Sequence, residues 1–287
     1  MRRLTRRLGL RYPLIQAPMA GTSTPALAAA VCEAGSLGSI AVGAVDAGAA
    51  RTAIAELRGR TARPFNVNAF VHQRAMRDIA IEQAWVEAMA PLFARFGAAP
   101  PAALQEIYRS LNDDPDMLAM LVDAAPAVVS FHFGLPTHDA IAALKAKGCL
   151  LVASATSLRE AEAAVASGMD AIVAQGFQAG GHRGVFDPVA ADEQLGTLNL
   201  VTILAARLDV PVIAAGGIMD GADIRAALEA GADAVQLGTA FVGCPESAAD
   251  EDYRAMLAQA TGTALTPAIS GRPARCLDNA FVAWAKT

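Results

Sequence analysis

The run 171–184, AIVAQGFQAGGHRG, holds the residues best suited to chemistry. An apolar strand pattern ends at Gln175 and Gly176, a loop carries Gly180 and Gly181, and His182 follows directly. Paired glycines let a backbone approach a ligand closely and take up positive φ. A histidine placed there can exchange protons near neutral pH. Two later runs, PVIAAGG (211–217) and AVQLGT (234–239), are short apolar strands that end in glycine. In the last two units of a (β/α)8 barrel such ends hold a phosphate, and Gly216, Gly217, Gly238 and Thr239 would supply amide donors for it. Asn66 and Asn68 alternate with apolar positions in PFNVNAF (64–70), so both face one side of a strand. His132, between Phe131 and Phe133, is expected to face opposite to them and to join His182 as a candidate catalytic residue. Each feature also has an ordinary reading: a loop histidine bonded to backbone, a packed asparagine, a turn glycine. His72 and His138 are read as structural.

These residues need a frame that brings strand ends together. Apolar runs at 13–19, 36–42, 64–70, 127–134, 150–155, 171–175, 211–217 and 234–239 read as strands. Helical patterns lie between them at 25–34, 49–58, 137–145, 158–167, 198–207 and 220–229. Thr24-Pro25 reads as an N-cap followed by proline at the first helical position. SGMDAIVAQG (167–176) and AGADAVQLGT (230–239) repeat one half-unit, a glycine-stopped helix end followed by an apolar strand. Alternation of this kind predicts a parallel sheet with covered faces, and about eight strands predict closure into an α/β (β/α)8 TIM barrel. The rhythm stops between strands three and four. Residues 72–118, Pro-interrupted and containing Trp85, Phe93, Phe96 and Tyr108, are too long for a simple connection. They are expected to form a helical insertion, a lid or pocket wall, on a barrel made of residues 1–71 and 119–287. The tail from about 250 is expected to add helix and loop outside the repeat.

Composition sets limits. The chain has 287 residues, within reach of one barrel of about 250. With 23 basic and 28 acidic residues its net charge is -5, which argues against a nucleic-acid surface. Four cysteines without a CxxC pair point to neither a zinc site nor a disulfide framework, and a cytoplasmic location follows as the simplest expectation. The basic start, MRRLTRRLGLRYP, lacks the apolar run of a signal peptide. Residues 12–32 carry no charge, but Pro13, Pro18, Pro25 and Gly21 would break a spanning helix.

In order along the chain, QAPMAG (16–21), FNVNAF (65–70), VVSFHFG (128–134), AQGFQAGGHRG (174–184), AAGGI (214–218) and QLGTAF (236–241) resemble the motifs of the FMN-dependent nitronate monooxygenases. The resemblance covers nearly the whole chain. Single motifs are weak, whereas the ordered set with its AGGH loop is specific, and VVSFHFG with AGGHRG is most similar to the first class of bacterial members. The resemblance implies FMN as cofactor, oxidation of alkyl nitronates such as propionate 3-nitronate with O2, and His182 as catalytic base. It implies that Ala17, Pro18 and Met19 lie against the flavin ring and that Asn68 and Gln175 contact it. It further implies that Gly180, Gly181, Gly216, Gly217, Gly238 and Thr239 hold the phosphate end, with Gln236 and Leu237 lining it. The family's aromatic tail beyond SGRPAR has no clear match in these residues.

Other readings share these residues. The wider family includes NAD(P)H-dependent quinone and enoyl-acyl-carrier-protein reductases with the same loop. The phosphate loops alone also permit a flavin-free barrel isomerase or lyase, or a flavin-binding module without catalysis. A small-molecule substrate is expected, with no nucleic acid, membrane or metal, in a monomer or homodimer.

Overall fold

A computed structural model describes residues 2–74 and 76–286. Eight parallel strands form one sheet: β1 (Leu14–Gln16), β2 (Gly38–Ala41), β3 (Phe65–Phe70), β4 (Val128–His132), β5 (Leu150–Ala155), β6 (Ala171–Gln175), β7 (Val212–Ala215) and β8 (Ala234–Leu237). Each pairs with its neighbours in chain order, and β8 pairs back onto β1. A bridge between Ile15 and Leu37 brings β1 against β2 and closes the ring. The chain is the (β/α)8 barrel that its rhythm predicts.

The helices begin where side chains can satisfy their first amides. Thr24 caps Leu27 N ahead of Pro25, Thr137 caps Ala140 N, and Ser157 caps Glu160 N. Asp220 and Asp223 form a reciprocal capping box. Alternation along the strands then separates two cores. Outward residues such as Val67, Ala69, Val129 and Phe131 pack under the helices. Inward residues near the strand starts, including Ile15, Val128, Leu150, Ala171 and Ile213, fill the barrel floor.

The basic start is a structural plug. A helix, Arg3–Leu8, closes the bottom of the barrel, and Leu4 is only 2% exposed within the floor cluster. Asp233 accepts from the Leu4 amide at 3.1 Å, and Arg7 meets Asp170 at 3.2 Å. The arginines therefore lie around the rim of the floor while Leu4 enters it.

Between β3 and β4 lie a helix at Ile79–Arg95, a 3-10 turn at Leu111–Asp113 and a helix at Pro115–Ala124. The first contains Pro91 and has no buried residue. The last buries Met117, Met120 and Leu121 and packs against neighbouring barrel helices, so the sequence boundary at 118/119 falls inside an element of the outer ring.

The tail departs from the expectation of helix and loop. Thr263–Thr266 and Ala274–Leu277 form an antiparallel hairpin, and the second strand pairs with the two-residue strand Gly181–His182. The turn-rich SGRPAR segment makes the bend between the hairpin strands. Its short polar run carried no alternation from which the strands could be read. Among the described residues no helix is long and apolar enough to cross a membrane.

The plug yields a stability prediction separate from chemistry. Leu4→Ala should lower unfolding stability by about 2–5 kcal/mol, read as a shift in urea midpoint, through lost burial and a residual cavity. Turnover below the transition should be unchanged, because the plug lies at the opposite end of the barrel from the cleft.

Candidate active site

The inward face of the barrel changes character along its axis. Val128, Leu150, Val152, Ala171 and Val173 are followed, toward the strand ends, by Ser130, His132, Ser154 and Gln175. The polar group opens into a cleft of about 2210 Å³. Ala17, Pro18, Met19, Asn68, His132, Gln175, Gly180, Gly181, His182, Gly216, Gly217, Gln236, Gly238 and Thr239 all line it. Of the residues expected there, Leu237 lies elsewhere. It is buried in the outer core under the helices, because it alternates with inward-facing Gln236.

The His182 loop is built from interlocking bonds. Gln175 Nε2 donates to the His182 carbonyl at 2.9 Å, and Gln175 Oε1 accepts from Gly184 N at 2.7 Å. Both ends of the Gln175 amide are thus committed to the loop. Arg183, 3% exposed, makes two bonds to Asp192 at 2.8 and 2.9 Å and a third to the Gln175 carbonyl. Glu160 accepts from Phe186 N at 2.8 Å and from Thr156, tying the far side of the loop to a barrel helix. Pairing of His182 with Ala274 adds the tail hairpin as a third support.

The His182 ring itself is held by Ser270, whose Oγ lies 2.6 Å from Nε2. Burial, and then the charge of Arg272, push the His182 pKa below its ordinary value, so the imidazole is neutral at pH 7. His132 is bonded on both nitrogens, to Ser154 Oγ at 2.9 Å and to the His182 carbonyl at 3.4 Å. Since a carbonyl only accepts, Nε2 carries the proton and Nδ1 accepts from the serine. Desolvation lowers the His132 pKa to about 4, leaving this ring uncharged as well. The site leaves little room around it: a Cβ on Gly184 would stand 2.7 Å from His132 Cε1.

Phe133 lies at the centre of this group. Strand alternation predicts it on the side opposite His132, yet its ring centre is 4.4 Å from that of His132, 5.7 Å from His182 and 5.0 Å from Phe70. The strand ends at His132, and Phe133 takes φ +75, which turns it into the cleft. For a bulky residue that backbone is strained and persists only where surrounding contacts hold it. His72, read from sequence as structural, also borders the cleft, 6.4 Å from Phe133 and bonded to the Tyr108 carbonyl at 3.1 Å. Arg272 covers a face of the Phe133 ring with its guanidinium carbon 4.5 Å from the centre.

The same cleft is lined by groups that can receive an anionic end. Gly216 and Gly217 have φ of +117 and +67, the conformation that favours glycine. Thr197 holds this turn by bonding the Gly216 carbonyl at 2.8 Å, and Gln178 in turn accepts from Thr197. The amides of Gly217 and Gly238 donate to no group among the described residues. A Cβ on Gly180 would be 3.3 Å from Thr239 Oγ1, so the loops after β6 and β8 converge here. Also on the cleft wall, Gln16 and Ser23 brace the Ala17–Pro18–Met19 backbone, and Asn68 Nδ2 binds the Ser130 hydroxyl at 3.0 Å. Among the described residues no cluster of His, Cys, Asp or Glu could hold a metal.

Several of these residues escape sequence reasoning. Ser130 and Ser154 share the inward parity of their strands and could have been read from it. Ser270 and Arg272 act from a loop distant in sequence, and Asp192, nine residues beyond Arg183, sits in a stretch that no local pattern marks.

Comparison with known proteins gives a consistent result. The family model for nitronate monooxygenase matches residues 2–286. A nitronate monooxygenase of Paraburkholderia phytofirmans is 58% identical over 278 residues, covering 96% of this chain and 76% of that protein. One from Pseudomonas aeruginosa is 56% identical over 279 residues, covering 96% and 80%. Among solved structures, nitroalkane oxidase from Streptomyces ansochromogenes superposes with a TM-score of 0.88 at 41% identity, covering 98% of this chain and 80% of its own. FabK from Thermotoga maritima superposes with a TM-score of 0.75 at 32% identity, covering 98% and 76%.

The Arg183–Asp192 pair predicts a pH-dependent loop. Its bonds to Arg183 hold the Asp192 carboxyl below the usual range, so their stabilisation is complete above the unfolded value of about 3.9. It is lost as pH falls through the depressed native value. Asp192→Ala should cost about 3–5 kcal/mol by leaving the Arg183 charge buried and unpaired, measured by denaturant unfolding at pH 7.

Proposed function

The chain belongs to the nitronate monooxygenase family, and from that premise we propose that it oxidises alkyl nitronates with O2 using FMN, with His182 as the base. The observation that carries this reading is a neutral imidazole and unpaired glycine amides lining one cleft. FMN would occupy this cleft. Gly217, Gly238 and Thr239 would hold its phosphate, and Ala17 to Met19 and Asn68 would contact the ring. Gln175, with both ends of its amide engaged, would act by shaping the loop. Bound there, FMN supplies the electron-transfer chemistry, and the protein supplies orientation and charge control.

The residues' own work concerns a proton. A nitroalkane loses its α-proton to become a nitronate. Neutral His182 takes that proton, and the resulting imidazolium stabilises the anion. When the nitronate is supplied directly, the same ring binds and orients it. Ser270 fixes the ring through Nε2. We assign His132 a positioning role, because both of its nitrogens are engaged and its pKa of about 4 keeps it uncharged. Propionate 3-nitronate is a reasonable first substrate of this class.

A second reading, reduction of a quinone or enoyl substrate by NAD(P)H, draws on the FabK likeness. Identities of 58% and 41% to nitronate and nitroalkane oxidising proteins outweigh 32% to FabK. A flavin-free barrel enzyme has less support, since the cleft extends well beyond the phosphate-holding end.

The purified protein should be yellow, with FMN released on denaturation. Oxygen uptake with nitronate should proceed without NADH; rapid bleaching by anaerobic NADH with no nitronate turnover would favour the reductase. His182→Asn should lower kcat/KM for a neutral nitroalkane by about 10²–10⁴-fold while the flavin spectrum is retained. In the native enzyme that kcat/KM should rise with pH through a midpoint below the ordinary histidine value of 6.5 and level off above it.

A further inference from the structure

Arg272 occupies the bend of the tail hairpin, two residues before Ala274, the partner of His182 in the small sheet. Its guanidinium lies over Phe133, the ring that also contacts His182 and His132. Nη2 donates to the Val185 carbonyl at 2.9 Å. Nε is buried without a partner, and Nη1 donates to no group among the described residues. No carboxylate forms an ion pair with this arginine among the described residues, in contrast to Arg183 with Asp192. Asp187, which lines the same cleft, acts on this arginine only at longer range and forms no ion pair with it. A half-buried cation so weakly compensated is costly unless something supplies the missing charge. The cleft it lines also holds His182.

We propose that Arg272 is a substrate-binding residue that receives the anionic head of the nitronate, its two oxygens meeting the open edge of the guanidinium. The inference rests on the nitronate reading of the site. A nitronate head is planar, carries its charge over two oxygens and has the geometry of a carboxylate. The planar donor fork of arginine matches that shape in a way that the point charge of lysine does not. Phe133 supports the fork from one face, and the Val185 carbonyl fixes its rotation. Placed so, Arg272 binds the anion while His182 lies at the same ring, within reach of the carbon end of a small substrate. A neutral nitroalkane lacks the full charge and gains far less from the arginine. Arg272 therefore discriminates between the two protonation states of one carbon skeleton.

The test compares Arg272→Met and Arg272→Lys with the native FMN-loaded chain. KM is measured for propyl-1-nitronate, and Ki for 1-nitropropane, its neutral acid, as a competing ligand. Arg272→Met should raise KM for the nitronate by about 10- to 100-fold, the range for a lost charge-assisted bond, with Ki for 1-nitropropane unchanged. Arg272→Lys should fall between the two. A merely structural arginine would move both constants together, and that result, or no change in KM, would overturn the proposal. Calorimetric binding of propionate, a carboxylate of matching shape, separates this idea from the functional reading. If the native enzyme fails to turn over nitronate yet its propionate binding disappears in Arg272→Met, the anion site stands and the activity assignment fails. Propionate binding that is equal in both removes the site. Should Arg272→Met not fold, the same constants measured on Arg272→Lys decide the matter.

Discussion

The carbonyl of His182 is where the architecture of the cleft converges. Gln175 donates to it from the end of β6 and His132 from the end of β4, so the two strands that flank β5 hold one backbone atom of the loop. A loop of glycines has little conformational preference of its own and would sample many states. The two donors, together with Arg183 on the Gln175 carbonyl, remove that freedom around His182. The base role proposed for His182 needs such support, because a small displacement of a catalytic group has a large effect on rate. The glycine that follows, Gly184, has no room for a side chain against His132, so packing acts in the same direction as hydrogen bonding.

Electrostatics completes what the geometry begins. His72, His132 and His182 gather around Phe133, and for each ring burial is the leading cause of a lowered pKa. Arg272 adds to the effect at all three. A cation beside an imidazole disfavours a second positive charge and leaves the ring able to accept a proton. The strained backbone of Phe133 belongs to the same arrangement. An extended conformation there would carry the aromatic ring out of the cleft and remove the surface on which Arg272 rests.

Two parts of the chain outside the repeat shape access to this centre. The tail hairpin supplies Ser270 and Arg272 and extends the small sheet that begins at Gly181. The insertion helix, Ile79–Arg95, buries no residue, yet Trp85 meets Trp284 of the tail with ring centres 5.7 Å apart. Insertion and tail thus touch across the cleft while each stands largely apart from the barrel core. The mouth of the cleft is bounded by segments with few buried apolar contacts, the kind of region that opens locally at low free-energy cost.

Much of this protein is legible in its amino-acid order, for reasons that are local. Apolar runs bounded by glycine, capped helices and a repeated half-unit specify strands and helices through contacts close in sequence. Eight such units leave a barrel as the compact way to cover both faces of a parallel sheet. The AGGHRG loop and the glycine-ended strands point to the right end of that barrel, because parallel strands present all their carboxyl ends on one side. Alternation likewise decides that Gln236 faces inward and Leu237 does not. What only the tertiary structure decides is which distant segments meet there. Ser270 takes the ring of His182 and Arg272 lies over Phe133 through loops whose course no periodicity encodes, and the nearer pair of Arg183 with Asp192 forms across such a loop as well. The plug made by Arg3–Leu8 is hidden for the same reason: a short basic helix reveals its purpose only when the floor it fills has formed. Secondary structure follows from neighbours along the chain, whereas the charge and orientation of the His182 ring follow from neighbours in space.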